Sequence, residues 1–208
     1  MNNTIKTIIV IVLAVLVLAV LKNSAGSPDR SVAGIRDPIQ KKASGEVKTE
    51  AAGYDVTINF KFSYDIEALV VHTKNYYGSS FNNDLSPRDL ALAWGEPAEK
   101  NGDINFHWSQ SGRWYSWNIS ADDSSKISVD SVNRHSANNH IIPADDVVKN
   151  QLKKIKAGDH IRINGYLVDI RGEKDNGDWY TWNSSESRND TGDGACEIIY
   201  ATKIETLD

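Results

Sequence analysis

From Tyr54 the chain alternates without a slip. Tyr54, Val56, Ile58, Phe60, Phe62, Tyr64 and Ile66 fall on one side, and Asp55, Thr57, Asn59, Lys61, Ser63 and Asp65 on the other. A period of two sustained over this length requires a half-buried β-strand, because a helix would scatter the same apolar residues around its circumference. The run Ala68-Leu69-Val70-Val71 extends the strand, bent or broken on the way. So long a strand must find partners. The segment Ile104 to Ile119 reads as a hairpin turned around Gln110-Ser111-Gly112 and loaded with Trp108, Trp114, Tyr115 and Trp117. His160 to Ile170 alternates around Gly165, where a strand can bend; Glu173 to Asp178 is a polar turn, and Trp179 to Trp182 and Cys196 to Ile204 supply two more strands.

Two helices carry clear punctuation. In Leu85 to Gly95, Ser86 suits the N-cap, Pro87 the first helical position and Gly95 the left-handed residue past the end, which turns Leu90, Ala93 and Trp94 inward. The second starts at Pro143, places Asp145 and Asp146 in its first turn and Lys153, Lys154 and Lys156 in its last, and stops at Gly158. Its charges follow the helix dipole. The expectation is an α+β fold with a mostly antiparallel, curved sheet and two short helices.

Ahead of this body, Thr7 to Leu21 is apolar at every position but the first. With Lys6 at its outer edge, residues 5–22 suit a single transmembrane anchor at the short end of the spanning range. The rival is a signal peptide, but Lys22 and Asn23 follow directly where a small-residue cleavage site would be wanted. So little chain precedes the span that an inside amino terminus is expected, with the body outside the cytoplasm. Residues 23–53 hold Ser, Ala, Gly, Pro and mixed charges. They read as a flexible tether reaching roughly 30 Å. Residues 54–208 then form one domain.

Composition narrows the function. Net charge is −5 overall. Without Lys6 and Lys22 the exported part carries roughly −7, which argues against a general nucleic-acid binder. One cysteine, Cys196, excludes an intrachain disulfide framework.

The helix followed by Ala157-Gly158-Asp159 and the bent strand HIRINGYLVDI resembles the opening strands of small bacterial OB-fold domains, exported ones among them, over about a quarter of the chain. A wider likeness runs from Tyr64 to Ile204. Leu85 to Gly95, Gln110 to Tyr115, His135 to His140 and Arg188 to Glu197 are similar to the signature blocks of a family of uncharacterised, membrane-anchored bacterial extracytoplasmic proteins. The resemblance implies an OB-like barrel as one form of the curved sheet and a single-pass anchor in a bacterial inner membrane, but no mechanism.

Three constellations carry candidate chemistry. Cys196 as nucleophile, with His135 or His140 as base and Asn138 or Asn139 as the orienting group, would make a hydrolase or transferase. Gly192 and Gly194 would let backbone N–H groups approach an oxyanion. The alternative is that Cys196 merely leads a core strand. His135, His140, Asp190, Asp193 and Glu197 have no metal-binding spacing, so neither metal nor cofactor is expected, and the 135–140 segment reads as an irregular stretch fastened to backbone groups. Trp108, Trp114, Trp117, Trp179 and Trp182 offer a stacking platform for sugars or nucleobases, although Trp108 and Trp182 fall where inward residues are wanted. Arg113 and Arg188 are expected to pair with carboxylates inside the fold.

The expected protein is therefore an extracytoplasmic binding or envelope-assembly module without catalysis. Its ligand would be an envelope protein or a saccharide, with no nucleic acid. Its candidate surface is where the 135–140 segment meets the 188–197 loop, with Asn138, Asn139, Arg113, Arg188, Asp190 and Glu197 as binding residues.

Overall fold

The computed structural model describes residues 28–187 and 195–207. The 5–22 segment lies outside these residues; among the described ones no helix is long and apolar enough to cross a membrane. The fold is α+β and mostly strand. In chain order it runs β1 (Ile39–Lys42), β2 (Glu46–Ala51), β3 (Tyr54–Asn75), α1 (Phe81–Leu85), β4 (Arg88–Ala93), α2 (Gly95–Glu99), β5 (Ser109–Ser111) and β6 (Trp114–Ser116). It continues with α3 (Val129–Arg134), β7 (Ser136–Pro143), α4 (Asp146–Lys154), β8 (His160–Glu173), β9 (Trp179–Asn183) and β10 (Glu197–Leu207).

The alternating segment is one 22-residue strand, β3, with register shifts between Phe60 and Phe62 and between Val70 and His72. Those bulges bend it enough to serve two neighbours. β3 pairs with β4 and also with β8, so the order β3, β4, β7, β10, β8 returns to β3 and closes a five-stranded ring. Within the ring only β7 and β10 run parallel. The helix α4 bridges β7 to β8. Beyond the ring, β2, the first half of β3, the second half of β8 and β9 continue as a four-stranded antiparallel extension. The β5–β6 hairpin is a separate two-stranded sheet.

Two apolar clusters follow from this shape. One fills the ring with Ile66, Leu90, Leu92, Ile141, Ile161, Ile163, Leu167 and Ile199. The other, with Val56, Ile58, Phe81, Leu85, Ile142, Val168, Ile170 and Ile198, lies under α1 on the outer side of the sheet. Residues on β7 and β10 therefore alternate between an inner and an outer core, and this alternation sorts the candidate site residues.

Several expectations are corrected. The Ser86–Gly95 segment is not a helix: Arg88–Ala93 is β4, and Ser86 closes α1. Leu90 to Ala93 are wholly buried between β3 and β7, and a strand covered on both faces shows no alternation. Residues 28–53 are not a free tether. Ile35 is buried, Asp37 accepts a hydrogen bond from Trp94 Nε1 at 3.1 Å, and β1 and β2 add to β3. These residues lack a core of their own and take one from the body. The 135–140 segment is not irregular, because it opens the fully enclosed strand β7. The second helix begins later than Pro143, with Asp145 as N-cap accepting from the Val148 N–H at 2.8 Å. Four short α-helices and one 3-10 turn, Ala121–Asp123, occur among the described residues in place of two helices. HIRINGYLVDI enters the ring fourth, as β8, and not as its opening strand. Its Gly165 is required, since a Cβ there would lie 2.1 Å from the Tyr200 carbonyl oxygen.

Candidate functional site

The outer face of β4 and β7 carries one buried carboxylate, Asp89, with no exposure. β4 is antiparallel to β7 with Asp89 opposite His140 and Ala91 opposite Asn138, so the three polar side chains share a side. The hairpin tip reaches down to them. Arg113 Nη1 lies 3.0 Å from Asp89 Oδ1, while Nη2 donates to Asn83 Oδ1 at 2.8 Å and to the Ser86 carbonyl at 2.9 Å. Its guanidinium sits 4.0 Å from the Tyr76 ring centroid and 5.3 Å from that of Trp182. Ser86 Oγ donates to Asp89 Oδ1 at 3.4 Å. Such a forked, charge-assisted arrangement is geometrically specific.

Asn138 is the second hub. Its Oδ1 accepts from Gln110 Nε2 at 2.5 Å, and its Nδ2 donates to the Arg113 carbonyl at 2.9 Å and to Asp89 Oδ2 at 3.4 Å. Gln110 Oε1 meets His72 Nδ1 at 2.9 Å. His140 Nδ1 stands 2.9 Å from Asp89 Oδ2, close enough for an ion pair but out of line for a hydrogen bond, and its ring packs 4.8 Å from Trp182. Burial lowers the Arg113 pKa against the pull of Asp89. It raises that of Tyr76, whose hydroxyl accepts from the Arg113 N–H at 3.0 Å, with neighbouring Asp89 adding to the rise.

The structure brings Arg113, Asn138, His140 and Cys196 to this one side. Cys196 is partly exposed, and its Sγ lies 3.9 Å from Asn138 Nδ2 and 4.0 Å from the Arg113 carbonyl. Asn139 and Glu197, paired in register and wholly buried, fall on the inner side of the ring. A Cys-His-Asn set can therefore use Asn138 and not Asn139. His135 is elsewhere: its Nδ1 bonds to the Ser131 carbonyl at 2.8 Å, its Nε2 is 3.6 Å from Asp37, and it packs edge-on to Trp94. Arg188 and Asp190 lie outside the described residues. Among the described residues, no three metal-ligating side chains converge.

Asp89, Gln110, Tyr76 and His72 are the members that sequence reasoning passed over, and Trp182 was read only as an inward-facing strand residue. Asp89 was hidden because a helical reading of Arg88–Ala93 places an aspartate harmlessly in a first turn. Read as a buried strand, the same residue is a charge inside an apolar run and demands a partner.

A second, exposed feature lies on the far face of the four-stranded extension. Register places Glu50, Asp55, Glu173 and Trp179 in one cross-strand row, Lys48, Thr57, Arg171 and Thr181 in the next, and Glu46, Asn59, Asp169 and Asn183 in a third. Trp179 is 63% exposed, with the Arg171 guanidinium 5.7 Å from its ring. Lys48, Thr49, Glu50, Asp55, Val56 and Thr57 line a shallow concavity on β2 and β3, separated from Trp179 by β8.

No family model, curated protein or solved structure matches this chain.

Proposed function

We propose that the protein is a membrane-anchored, extracytoplasmic binding or envelope-assembly module that works without catalysis, built on an OB-type barrel and holding an envelope saccharide on its polar sheet face. The closed order β3, β4, β7, β10, β8, with a helix between β7 and β8, supports the OB-type reading. The apolar run Thr7 to Leu21 supports the anchor, with the body outside the inner membrane. One observation carries the ligand class. Trp179 stands exposed at the margin of a grid of short hydroxyl, amide and carboxylate side chains, where a sugar ring can stack while its hydroxyls find donors and acceptors. The grid holds five carboxylates against Lys48 and Arg171, which disfavours a phosphate backbone.

The test is co-sedimentation of the full-length protein, in detergent, with purified peptidoglycan. Trp179→Ala is expected to weaken binding at least about tenfold, the loss of one stacking contact. Sedimentation unchanged by that substitution would remove the proposed face.

A second reading, a hydrolase or transferase using Cys196 with His140 as base, is favoured by their shared side of the sheet and by Asp89 beside His140. It predicts that Cys196 labels with a thiol-directed probe near neutral pH and that His140→Ala slows labelling. A folded protein that does not label has no such nucleophile.

A further inference from the structure

We propose that the slot formed by Asp89, Tyr76, Trp182, Asn83 and the Ser86 carbonyl is a guanidinium-binding site, filled in cis by Arg113, and that an arginine presented by a partner protein competes for it. The slot has what a guanidinium needs. A fully buried carboxylate supplies charge, two further oxygens at 2.8 and 2.9 Å take the fork, and two aromatic rings flank the cation. An ammonium could not engage all of these at once.

The plug is a separate small element. β5 and β6 pair only with each other, three residues a side, and a two-stranded hairpin has little stability alone. No backbone ladder joins it to the main sheet; it is held there by Gln110 to Asn138 and His72, by Tyr115 to Ser136, by the Arg113 N–H to the Tyr76 hydroxyl, by Asn138 to the Arg113 carbonyl, and by the Arg113 guanidinium. Gly112 and Arg113, at φ +56° and +69°, are the two left-handed residues of a tight hairpin turn, so the hairpin can keep its own shape when it leaves the sheet. Lifting the hairpin would leave Asp89 beside Ser86, Asn138 and His140 but without its arginine, on a protein of net charge −5, which favours a cationic competitor. The slot lies on the opposite side of the sheet from Trp179, so it stands independently of the saccharide face.

The experiment titrates full-length protein in detergent with N-acetylarginine amide, using N-acetyllysine amide as control. Arg113→Ala is expected to bind the arginine amide at least about tenfold more tightly than the unaltered protein does, and to regain melting temperature on binding; the lysine amide should do neither. In the unaltered protein, hydrogen exchange of residues 109–116 should quicken as arginine amide is added. Equal binding by the folded variant and the parent, equal effects of the two amides, or hairpin exchange that never responds would each overturn the proposal. Should Arg113→Ala fail to fold, Arg113→Lys keeps the charge but loses the fork, and must bind arginine amide more tightly than the parent.

Discussion

Asp89 and Arg113 show how a single pair determines what a surface can do. Asp89 is without exposure and Arg113 retains 16% in its side chain, so removal of either leaves the other charged and largely out of water. Asp89→Ala is therefore expected to cost about 3 kcal/mol in urea unfolding, and the Asp89→Ala/Arg113→Ala double variant less than the sum of the two single losses. Asp65 gives a milder, pH-dependent case. Two hydrogen bonds from Arg162, at 2.7 and 2.5 Å, hold its carboxyl below the usual carboxylate range. A depressed folded pKa stabilises fully above the unfolded value, near 4, and that contribution disappears as pH falls through the folded value. Asp65→Asn should accordingly flatten the stability profile below about pH 4, with little change in its slope at neutral pH. The sequence made Arg113 legible as a paired cation, since an isolated arginine in an aromatic hairpin needs a counter-charge. Its partner was not legible, because nothing local in Arg88-Asp89-Leu90-Ala91-Leu92-Ala93 separates a buried strand from a helix.

At the level of elements, the alternating strand β3 was readable from its own residues, because one face of it meets a core and the other meets water or polar neighbours. β4 and β7 were not. They lie between other strands, both faces are covered, and the period that distinguishes strand from helix is lost. The helix α4 was readable in its charges but not in what ends it. Arg88, from β4, donates to the carbonyls of Leu152, Lys153 and Ile155 and so satisfies the helix C-terminus from outside. Arg88→Met keeps much of the apolar stem and loses those bonds. An expected cost of about 2 kcal/mol, with faster hydrogen exchange across Asp146–Lys154 than across β8, would separate a lost cap from general destabilisation. Gly165 belongs to the same scale. Because a Cβ would strike the backbone of β10 and not a movable side chain, Gly165→Ala should destabilise by about 3 kcal/mol in thermal unfolding.

Across the whole molecule, the boundary between tether and body lies further toward the amino terminus than composition suggests. Residues 28–53 hold too few apolar groups to fold alone, yet they close the structure by borrowing. Arg30 donates to the Gly158 carbonyl at 3.0 Å, Val32 to the Ala98 carbonyl at 2.9 Å, and β2 covers the edge of β3 along six register pairs. Composition measures what a segment can bury by itself and is blind to what a neighbour lends it. A chain beginning at Tyr54 would leave the first half of β3 with an open edge beside Ile58 and would strip Asp37 from the Trp94 indole. An open apolar edge recruits other chains. Such a truncated protein is expected to lose solubility on size-exclusion chromatography and to be cut within Tyr54–Phe60 by a protease that leaves the longer chain intact there. Equal resistance in the two would mean that β1 and β2 rest on the body without supporting it, and that residues 28–53 are free to extend after all.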